Sequence, residues 1–409
     1  MSKLGEQNGD HPALAWRRSG LMAITGRPDG DELVYPAAIT TVANNALNGL
    51  KRLARDPSGL PANGALLLGE RSRLLGLKKG GRMSANGSCC LLDAYDGRIA
   101  LNLARADDWD LLPALLDGEC PDNWQKLAAA IHVRSVAALV ERGMELGLPI
   151  AAERMPYAAE PWTFSSAGTT RGRTTPLVVD LSSLWAGPLA ASLLGAMGAK
   201  VIKVESIARP DGARRGNRQF YDLLNAEKAS VALDFDSVSG RRQLRNLIDS
   251  ADIVIEGSRP RALRHLGINA EELVAQGMIW VSITAHGRYG KAGERIGFGD
   301  DAAIAGGISA FMGAYWGIPM FAGDAIADPL AGLHAALAAW TCWSKGSGGL
   351  ISVSLADGVR HALHYHAAAA EELPHWQAMA QHDAAPMYPM RSSPSARALG
   401  ADNDSVPAC

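Results

Sequence analysis

Residues 177–205 read LVVDLSSLWAGPLAASLLGAMGAKVIKVE, and this stretch decides the fold. Its first five residues are a short apolar segment of the kind that forms a buried strand. Ala186-Gly-Pro188 then opens a helix, and a second apolar segment at 200–205 provides the next strand. Strand, helix and strand in this order predict two parallel strands joined by a right-handed crossover.

The same alternation continues along the chain. Further apolar segments lie at 231–235, 251–256 and 279–284, with helical patterns near 238–249 and 269–276. An α/β fold with a Rossmann-like parallel sheet is therefore expected over residues 175–360. Because ligands of such sheets bind at the carboxyl ends of the strands, we expect the functional site there.

A smaller α+β domain is predicted before the sheet, over residues 85–160. Asp96-Gly97 stands between apolar segments at 88–92 and 98–102, which is a strong signal for a hairpin. Helices are expected near 106–116, 122–130 and 134–147. The polar stretch 165–175 is expected to be a linker.

The two ends of the chain carry weaker patterns. SGLMAITG at 19–26 parallels GGISAFMG at 306–313, and an Ala-rich helix follows each, near 36–54 in the front copy. Thr41 then stands where the later copy has Asp328. Residues 1–75 are thus predicted to be a degenerate partial copy of the catalytic half, with chance similarity as the alternative. The Pro- and Ser-containing segment 361–409 is expected to be a loosely ordered tail.

Composition narrows the class of protein. The chain has 409 residues, 47% hydrophobic and 20% charged, which is typical of a soluble globular protein. A net charge of −2, from 40 basic and 42 acidic residues, does not favour nucleic acid or an anionic membrane as a partner. No apolar run reaches the roughly 18 residues of a membrane span. The polar start lacks a signal-peptide core, and the five cysteines are not at metal spacing, so a cytoplasmic location is expected.

Asp328 is the candidate catalytic residue. Pro329 suits the first position of a helix, so Asp328 is predicted to be its N-cap, with Leu330, Leu333 and Leu337 following at helical spacing. The helix N-terminus and its dipole are expected to hold the carboxylate ionised. A purely structural cap is the alternative.

Other site motifs are absent or incomplete. Residues 182–188 lack G-x-G-x-x-G, although Glu205 ends the second strand as a ribose-binding acid would. No Walker A or G-x-S-x-G sequence is present. His361, His364 and His366 lack a flanking carboxylate or cysteine pattern, so no metal is expected.

The ordered series of segments in the third region resembles the family III CoA-transferases, the CaiB/BaiF group that includes formyl-CoA transferase. The matching segments are 179–188, 194–205, 225–234, 251–267, 282–287, the Asp328 helix and 351–357. The resemblance implies that Asp328 is the nucleophile that attacks an acyl-CoA thioester. An aspartyl-CoA thioester then forms, and a carboxylic acid acceptor takes the CoA. The glycines of 311–313 and 321–323 are expected to let backbone N–H groups approach the reacting carbonyl.

The resemblance also implies the residues that contact CoA, which is a substrate here and not a permanent cofactor. They are Trp185 and Ala186; residues 233–236, which include Leu233 and Asp234; Gly257, Ser258 and Arg259; His265; and residues 296–299, which include Phe298 and Gly299. Candidate phosphate partners are Arg259, Arg209, Arg214 and Arg215, because guanidinium pairs bidentately with phosphate. Surface arginines without such a role are the alternative.

The order of the regions departs from the family. In ordinary members the small domain follows the catalytic aspartate, whereas here it precedes the sheet, so a permuted order is predicted. Family dimers are interlocked rings, and a homodimer is expected.

Two other functions remain open. The related α-methylacyl-CoA racemases use a His/Asp pair for proton transfer. Their histidine would fall near Phe298, so His286 or His334 would have to replace it. A non-catalytic acyl-CoA-binding protein is the other alternative.

Overall fold

The computed structural model describes residues 9–405. Three helices begin the chain: α1 Pro12–Arg18, α2 Ile39–Leu53 and α3 Gly64–Leu75. Leu47 and Leu50 of α2 are fully buried in a hydrophobic core that also contains Leu189 and Leu330 from the third region. The front segment therefore has no separate core and is stabilised by the same apolar burial as the large domain.

The small domain contains the predicted hairpin. Its elements are β1 Cys89–Ala94, β2 Gly97–Asn102, a 3-10 helix Ala106–Leu111, α4 Leu112–Leu115, α5 Trp124–His132, α6 Val136–Leu146 and β3 Ile150–Ala152. The antiparallel pairing of β1 with β2 confirms the hairpin, and β3 adds to the other side of β2. Leu101, Leu127 and Leu139 pack in a core of its own between the sheet and the helices.

The large sheet has seven strands. They are β4 Trp162–Thr169, β5 Leu177–Asp180, β6 Lys200–Ser206, β7 Ala229–Leu233, β8 Ile253–Glu256, β9 Ile279–Thr284 and β10 Ser347–Ser354. Their order is β4-β10-β9-β8-β5-β6-β7, and every pairing is parallel except that of β4 with β10. From β5 to β10 this is the order 3-2-1-4-5-6 of a doubly wound sheet, whose ligand crevice lies outside β5 and β8. The predicted parallel α/β fold is confirmed.

The polar stretch 165–175 is only partly a linker. Its first half belongs to β4, which pairs antiparallel with β10 at the edge of the sheet. Most of β4 is exposed on both faces, so its serine and threonine side chains remain in contact with solvent and need no buried partner. The strand forms through backbone hydrogen bonds to β10. The expectation of a linker was therefore wrong for residues 165–169.

Helices cover both faces of this sheet. The helices that follow β5 in the chain are α7 Ala186–Ala196, α8 Arg218–Asn225, α9 Val238–Ser250, α10 Pro260–His265, α11 Ala270–Val274, α12 Gly290–Glu294, α13 Gly299–Gly306, α14 Ile308–Trp316, α15 Ala327–Ser344, α16 Leu355–Tyr365 and α17 Leu373–Gln381. Helix α15 is buried along most of its length and packs against α7, α2 and β10. None of the helices within residues 9–405 has the length and apolar character needed to cross a membrane.

Residues 366–405 are not a loose tail. Asp383 pairs with Arg18 of α1 at 2.8 Å, and Arg391 pairs with Glu70 of α3 at 2.6 Å. Farther on, the backbone N–H of Ala396 donates to Asp222 at 2.8 Å. The expectation of loose order was wrong, because these buried polar contacts are invisible in the local composition.

The proposed internal repeat stays a prediction. Thr41 lies in the first turn of α2, and Asp328 lies in the first turn of α15. The two glycine segments differ, since 306–313 covers the end of α13 and most of α14, whereas Met22–Ile24 is a single 3-10 turn.

Candidate functional site

Asp328 lies in the first turn of α15, but it is not the N-cap. The helix begins at Ala327 after Ile326, and the Asp328 N–H already donates to the carbonyl of Ala325 at 2.9 Å. Gly323 and Ala325 both have left-handed φ values, +77° and +44°, so the chain turns before Asp328 is reached. The prediction of an N-cap was wrong by two residues, because the turn starts the helix earlier than Pro329 indicated.

The first residue of α13 lies directly against the Asp328 carboxylate. A methyl group at Gly299 would lie 2.2 Å from Oδ2 of Asp328 and 2.5 Å from the carbonyl oxygen of Ala325. Gly299 is buried, and Asp328 taken as a whole residue is half-buried. Of the residues expected to contact CoA, Phe298 and Gly299 thus lie beside the candidate nucleophile.

Two further carboxyl groups lie near Asp328, and both are buried. Oδ1 of Asp300 accepts a hydrogen bond from the backbone N–H of Ala325 at 2.9 Å, and Oδ2 accepts one from Asn86 at 2.8 Å. Asp324 accepts two hydrogen bonds from Arg71, each of 2.8 Å. The small domain and the front segment therefore both supply polar partners to this region.

Asp301 is a third buried carboxyl group here. Its Oδ1 accepts from the Phe298 N–H at 2.8 Å and from Asn102 at 3.2 Å. Within residues 9–405, neither Oδ2 of Asp301 nor Nε2 of His286 has a hydrogen-bond partner. A methyl group at Gly297 would lie 2.7 Å from the first atom and 3.2 Å from the second, so both border the same position.

Burial sets the protonation of these acids. Burial raises the pKa of Asp328 to about 7; Arg71 opposes this rise, and the nearby aspartates add to it. Burial likewise raises the pKa of Asp301 to about 7 and that of Asp300 to about 6. The sequence led us to expect that the helix N-terminus holds Asp328 ionised. With a pKa of about 7, the Asp328 carboxyl group instead changes its charge near neutral pH.

Trp185 and Ala186 lie inside the protein rather than on a cleft wall. Trp185 is 2% exposed, packs edge-on against Phe220 at 5.0 Å, and has the Arg71 guanidinium 4.9 Å from its ring centroid. Ala186 is buried, and its carbonyl would lie 2.7 Å from a methyl group at Gly332 of α15. Trp185 is thus connected to the carboxyl groups through Arg71.

A cleft of about 480 Å³ lies at the carboxyl ends of β5 to β8. Ser258, Arg209, Asp236 and Phe235 line it. Other residues expected to contact CoA lie near it: Leu233 is buried at the end of β7, Asp234 and Gly257 are exposed loop residues, and His265 is exposed on α10. This is the position that a doubly wound sheet offers to a ligand.

Arg259 faces a different cleft, of about 670 Å³, between the small domain and α12. Arg105, Arg261 and Lys291 also line it, together with four acidic residues, Asp107, Asp108, Glu145 and Glu294. Ser258 and Arg259, which are adjacent in the chain, thus line different clefts.

Some predicted roles do not fit the structure. Arg214 forms a bidentate pair with the buried Glu205 at 2.6–3.1 Å and lies over Tyr221, so it is engaged within the protein. Gly313 lies within α14, and the Gly323 N–H already donates to Thr25 at 3.4 Å. That these glycines let backbone N–H groups approach the reacting carbonyl stays a prediction.

The histidines near the end of α16 lie elsewhere. His361 packs edge-on against the buried His334 at 5.6 Å, and His366 stacks on Trp376. In the part of the chain that the structure describes, no group of three or more ligating side chains is arranged to hold a metal ion.

Arg71, Asp300 and Asp324 were not predicted as site residues. Asp300 was visible as one of two consecutive acids that begin a helix, but nothing in the sequence indicated that they would be buried. Arg71 and Asp324 are 253 positions apart, and no local pattern connects them.

Comparison with known proteins gives a consistent picture. A family model described as CoA-transferase family III matches residues 176–398. The chain is 31% identical over 195 residues to a succinyl-CoA–D-citramalate CoA-transferase of Chloroflexus aurantiacus, covering 44% of this chain and 48% of that protein. It is 30% identical over 167 residues to a human succinyl-CoA:glutarate CoA-transferase, and this match covers 39% of this chain and 38% of that protein. The chain thus spans less than half the length of these curated relatives.

A solved structure of a CaiB/BaiF family protein from Brucella suis is also similar. It is 27% identical, with a TM-score of 0.39, and the match covers 48% of this chain and 56% of that one.

Proposed function

The chain belongs to CoA-transferase family III, and from this membership we propose that it is an acyl-CoA:carboxylate CoA-transferase whose nucleophile is Asp328. One observation carries the proposal: the Asp328 carboxylate stands directly against a glycine backbone, within the region that matches the family. The curated relatives bear the names of CoA-transferases for carboxylic acids, which supports the same class of reaction.

The proposed reaction needs Asp328 in its ionised form. A carboxylate oxygen attacks the thioester carbonyl carbon, the C–S bond breaks, and CoA leaves as the thiolate from a mixed anhydride. The thiolate then attacks the Asp328 carbonyl carbon of the anhydride and releases the first acid as its carboxylate, leaving an aspartyl-CoA thioester. The acceptor carboxylate repeats these two steps in reverse order, so no net proton is consumed.

CoA would lie along the carboxyl ends of the strands. In this proposal its nucleotide end occupies the clefts beside the 257–259 loop, where Arg209, Arg259 and Lys291 supply positive charge for phosphate. The thioester end would extend toward Asp328 and Gly299. The homodimer and the permuted order stay predictions.

We expect Asp328→Asn to abolish CoA transfer. The amide is a poor nucleophile, so kcat should fall by about 10³-fold or more, with binding of CoA little changed. Mass spectrometry of CoA exchange between acyl-CoA donors and dicarboxylic acids measures transfer, and hydroxylamine should trap an adduct on Asp328 in the wild type. Asp404→Asn, an exposed acid far along the chain, is the control. Full transfer by Asp328→Asn would exclude the covalent mechanism.

A second candidate function rests on His286 and Asp301. Their unpartnered atoms border one position at Gly297, and a His/Asp pair of this kind can exchange a proton at a carbon next to a carbonyl. Incubation of a 2-methylacyl-CoA in D₂O separates the functions. Deuterium uptake without CoA transfer would favour a racemase, and acyl-CoA binding with neither reaction would favour a non-catalytic protein.

A further inference from the structure

Arg71 of α3 extends from the front segment into the candidate site. Its Nε and Nη2 donate to the two carboxylate oxygens of Asp324, both at 2.8 Å, in the bidentate geometry that fixes a guanidinium in one orientation. Its Cζ lies 4.9 Å from the ring centroid of Trp185 and 6.0 Å from that of Phe220. Two aromatic rings and one carboxylate therefore hold this cation in place.

The helix that carries Arg71 is itself tightly fixed. The preceding residue, Glu70, is 1% exposed and accepts hydrogen bonds from Arg391 at 2.6–3.1 Å. A methyl group at Gly69 would lie 2.2 Å from the carbonyl oxygen of Ser19, so the helix packs directly on the backbone before it. Consecutive side chains of a helix point about 100° apart, so Glu70 and Arg71 serve different neighbours.

The charges around Asp328 are unbalanced without Arg71. Asp300 and Asp301 approach from α13, and Asp324 approaches from the turn before α15. Arg71 from α3 is the cation that acts on Asp328, Asp300 and Asp324, and it lowers the pKa of each. Asn86 adds a neutral donor to Asp300. Like charges this close would otherwise favour protonation of the group that must be ionised.

We propose that Arg71 is a positioning residue for Asp328. The front segment then supplies part of the catalytic site, whether or not it originated as a degenerate copy of the catalytic half. The inference rests on the proposed function of Asp328. Arg71 does not need to touch the substrate: it fixes Asp324, and through it the turn that begins α15, and its charge favours the ionised form of the nucleophile.

The test compares Arg71→Gln with Arg71→Lys and a matched control. The control is Arg391→Gln, which removes a bidentate pair to the same helix from an arginine of similar exposure, away from the carboxyl groups. For Arg71→Gln we expect kcat to fall about 10²-fold at neutral pH, with the rising limb of its pH profile moved up by about one unit. Arg71→Lys should restore most of the pH profile, and Arg391→Gln should lower stability without moving that profile.

A measurement that does not depend on enzymatic activity separates this inference from the proposed function. Chemical denaturation between pH 5.5 and 8.5 reports the protons bound by the folded state. Stability of Arg71→Gln should fall more steeply with rising pH than that of the wild type, because more carboxyl groups stay protonated in its folded form. If the wild type transfers no CoA, the proposed function fails while this slope still tests Arg71. Equal slopes, or equal pH profiles in Arg71→Gln and Arg391→Gln, would overturn the inference.

Discussion

Gly299 shows how little space surrounds the candidate nucleophile. Neither the backbone of α13 nor the turn before α15 can move away easily, because the Ala325 N–H donates to Asp300 and links the two. The residue was expected to contact CoA from the family resemblance. Its observed neighbour, however, is the carboxylate of Asp328, which a local sequence pattern could not indicate.

Gly299→Ala should therefore inactivate the protein and also destabilise it, because the added methyl group would lie 2.5 Å from the carbonyl oxygen of Ala325. The added methyl group would overlap Oδ2 of Asp328 at 2.2 Å and force the carboxylate aside, so we expect transfer to fall at least 10²-fold. Gly358→Ala is the matched control, since a methyl group there meets nothing within 4 Å and alanine favours a helix. Thermal unfolding and CoA exchange measure the two effects. Wild-type transfer rates in Gly299→Ala would show that Asp328 is not held as described.

Asp301 should make stability depend on pH. Its folded-state pKa of about 7 lies above the usual value, so between about pH 4 and 7 the folded protein keeps a proton that the unfolded chain releases. Stability then falls as pH rises through this range, by about 1.4 kcal/mol per pH unit for this group. Asp301→Asn stays neutral, so it should gain stability over the wild type at pH 8 and little at pH 4. Urea denaturation at both values checks this, with Asp404→Asn as the exposed control, and a constant difference would contradict it.

Among the secondary-structure elements, those with strong local patterns were predictable. β5, β8 and β9 are nearly continuous apolar segments, and burial on both faces is what such composition requires. The hairpin of β1 and β2 followed from one Asp-Gly pair. β4 was missed because an exposed edge strand has no apolar face to reveal it, and its only support is the backbone of β10.

Helix α15 shows the limit of boundary prediction. Pro329 correctly indicated a first turn, but the left-handed Ala325 moved the start forward and put Asp328 inside the helix. The site depends on this shift, because the resulting turn brings Asp324 to Arg71. The resemblance to a family pointed to Asp328 as the candidate nucleophile. The surrounding acids and the arginine needed the tertiary structure, since they come from three separate segments.

Over the whole molecule, one C-terminal segment connects the front helices to the far edge of the sheet. It pairs with α1 and α3 through Asp383 and Arg391, and then reaches β7. There the Asp402 N–H donates to the Ser230 carbonyl at 2.9 Å, while Asn403 exchanges two hydrogen bonds with Ala232 at 2.9 and 3.0 Å. The loop thus covers an edge strand that would otherwise expose its backbone groups.

Asp402→Ala should release this connection and destabilise the fold. Oδ2 of Asp402 accepts from the Ser230 N–H and Oδ1 accepts from Arg397, both at 2.8 Å, and its side chain is largely buried. Loss of hydrogen bonds to a charged group costs about 1.5–3 kcal/mol, and the freed edge of β7 should become open to protease and to association between molecules. Asp404→Ala, at an exposed position two residues later, should change neither property. Guanidinium denaturation measures the stability, and limited proteolysis measures the exposure of the β7 edge. Unchanged stability in Asp402→Ala would mean that the contacts of this loop do not stabilise the sheet.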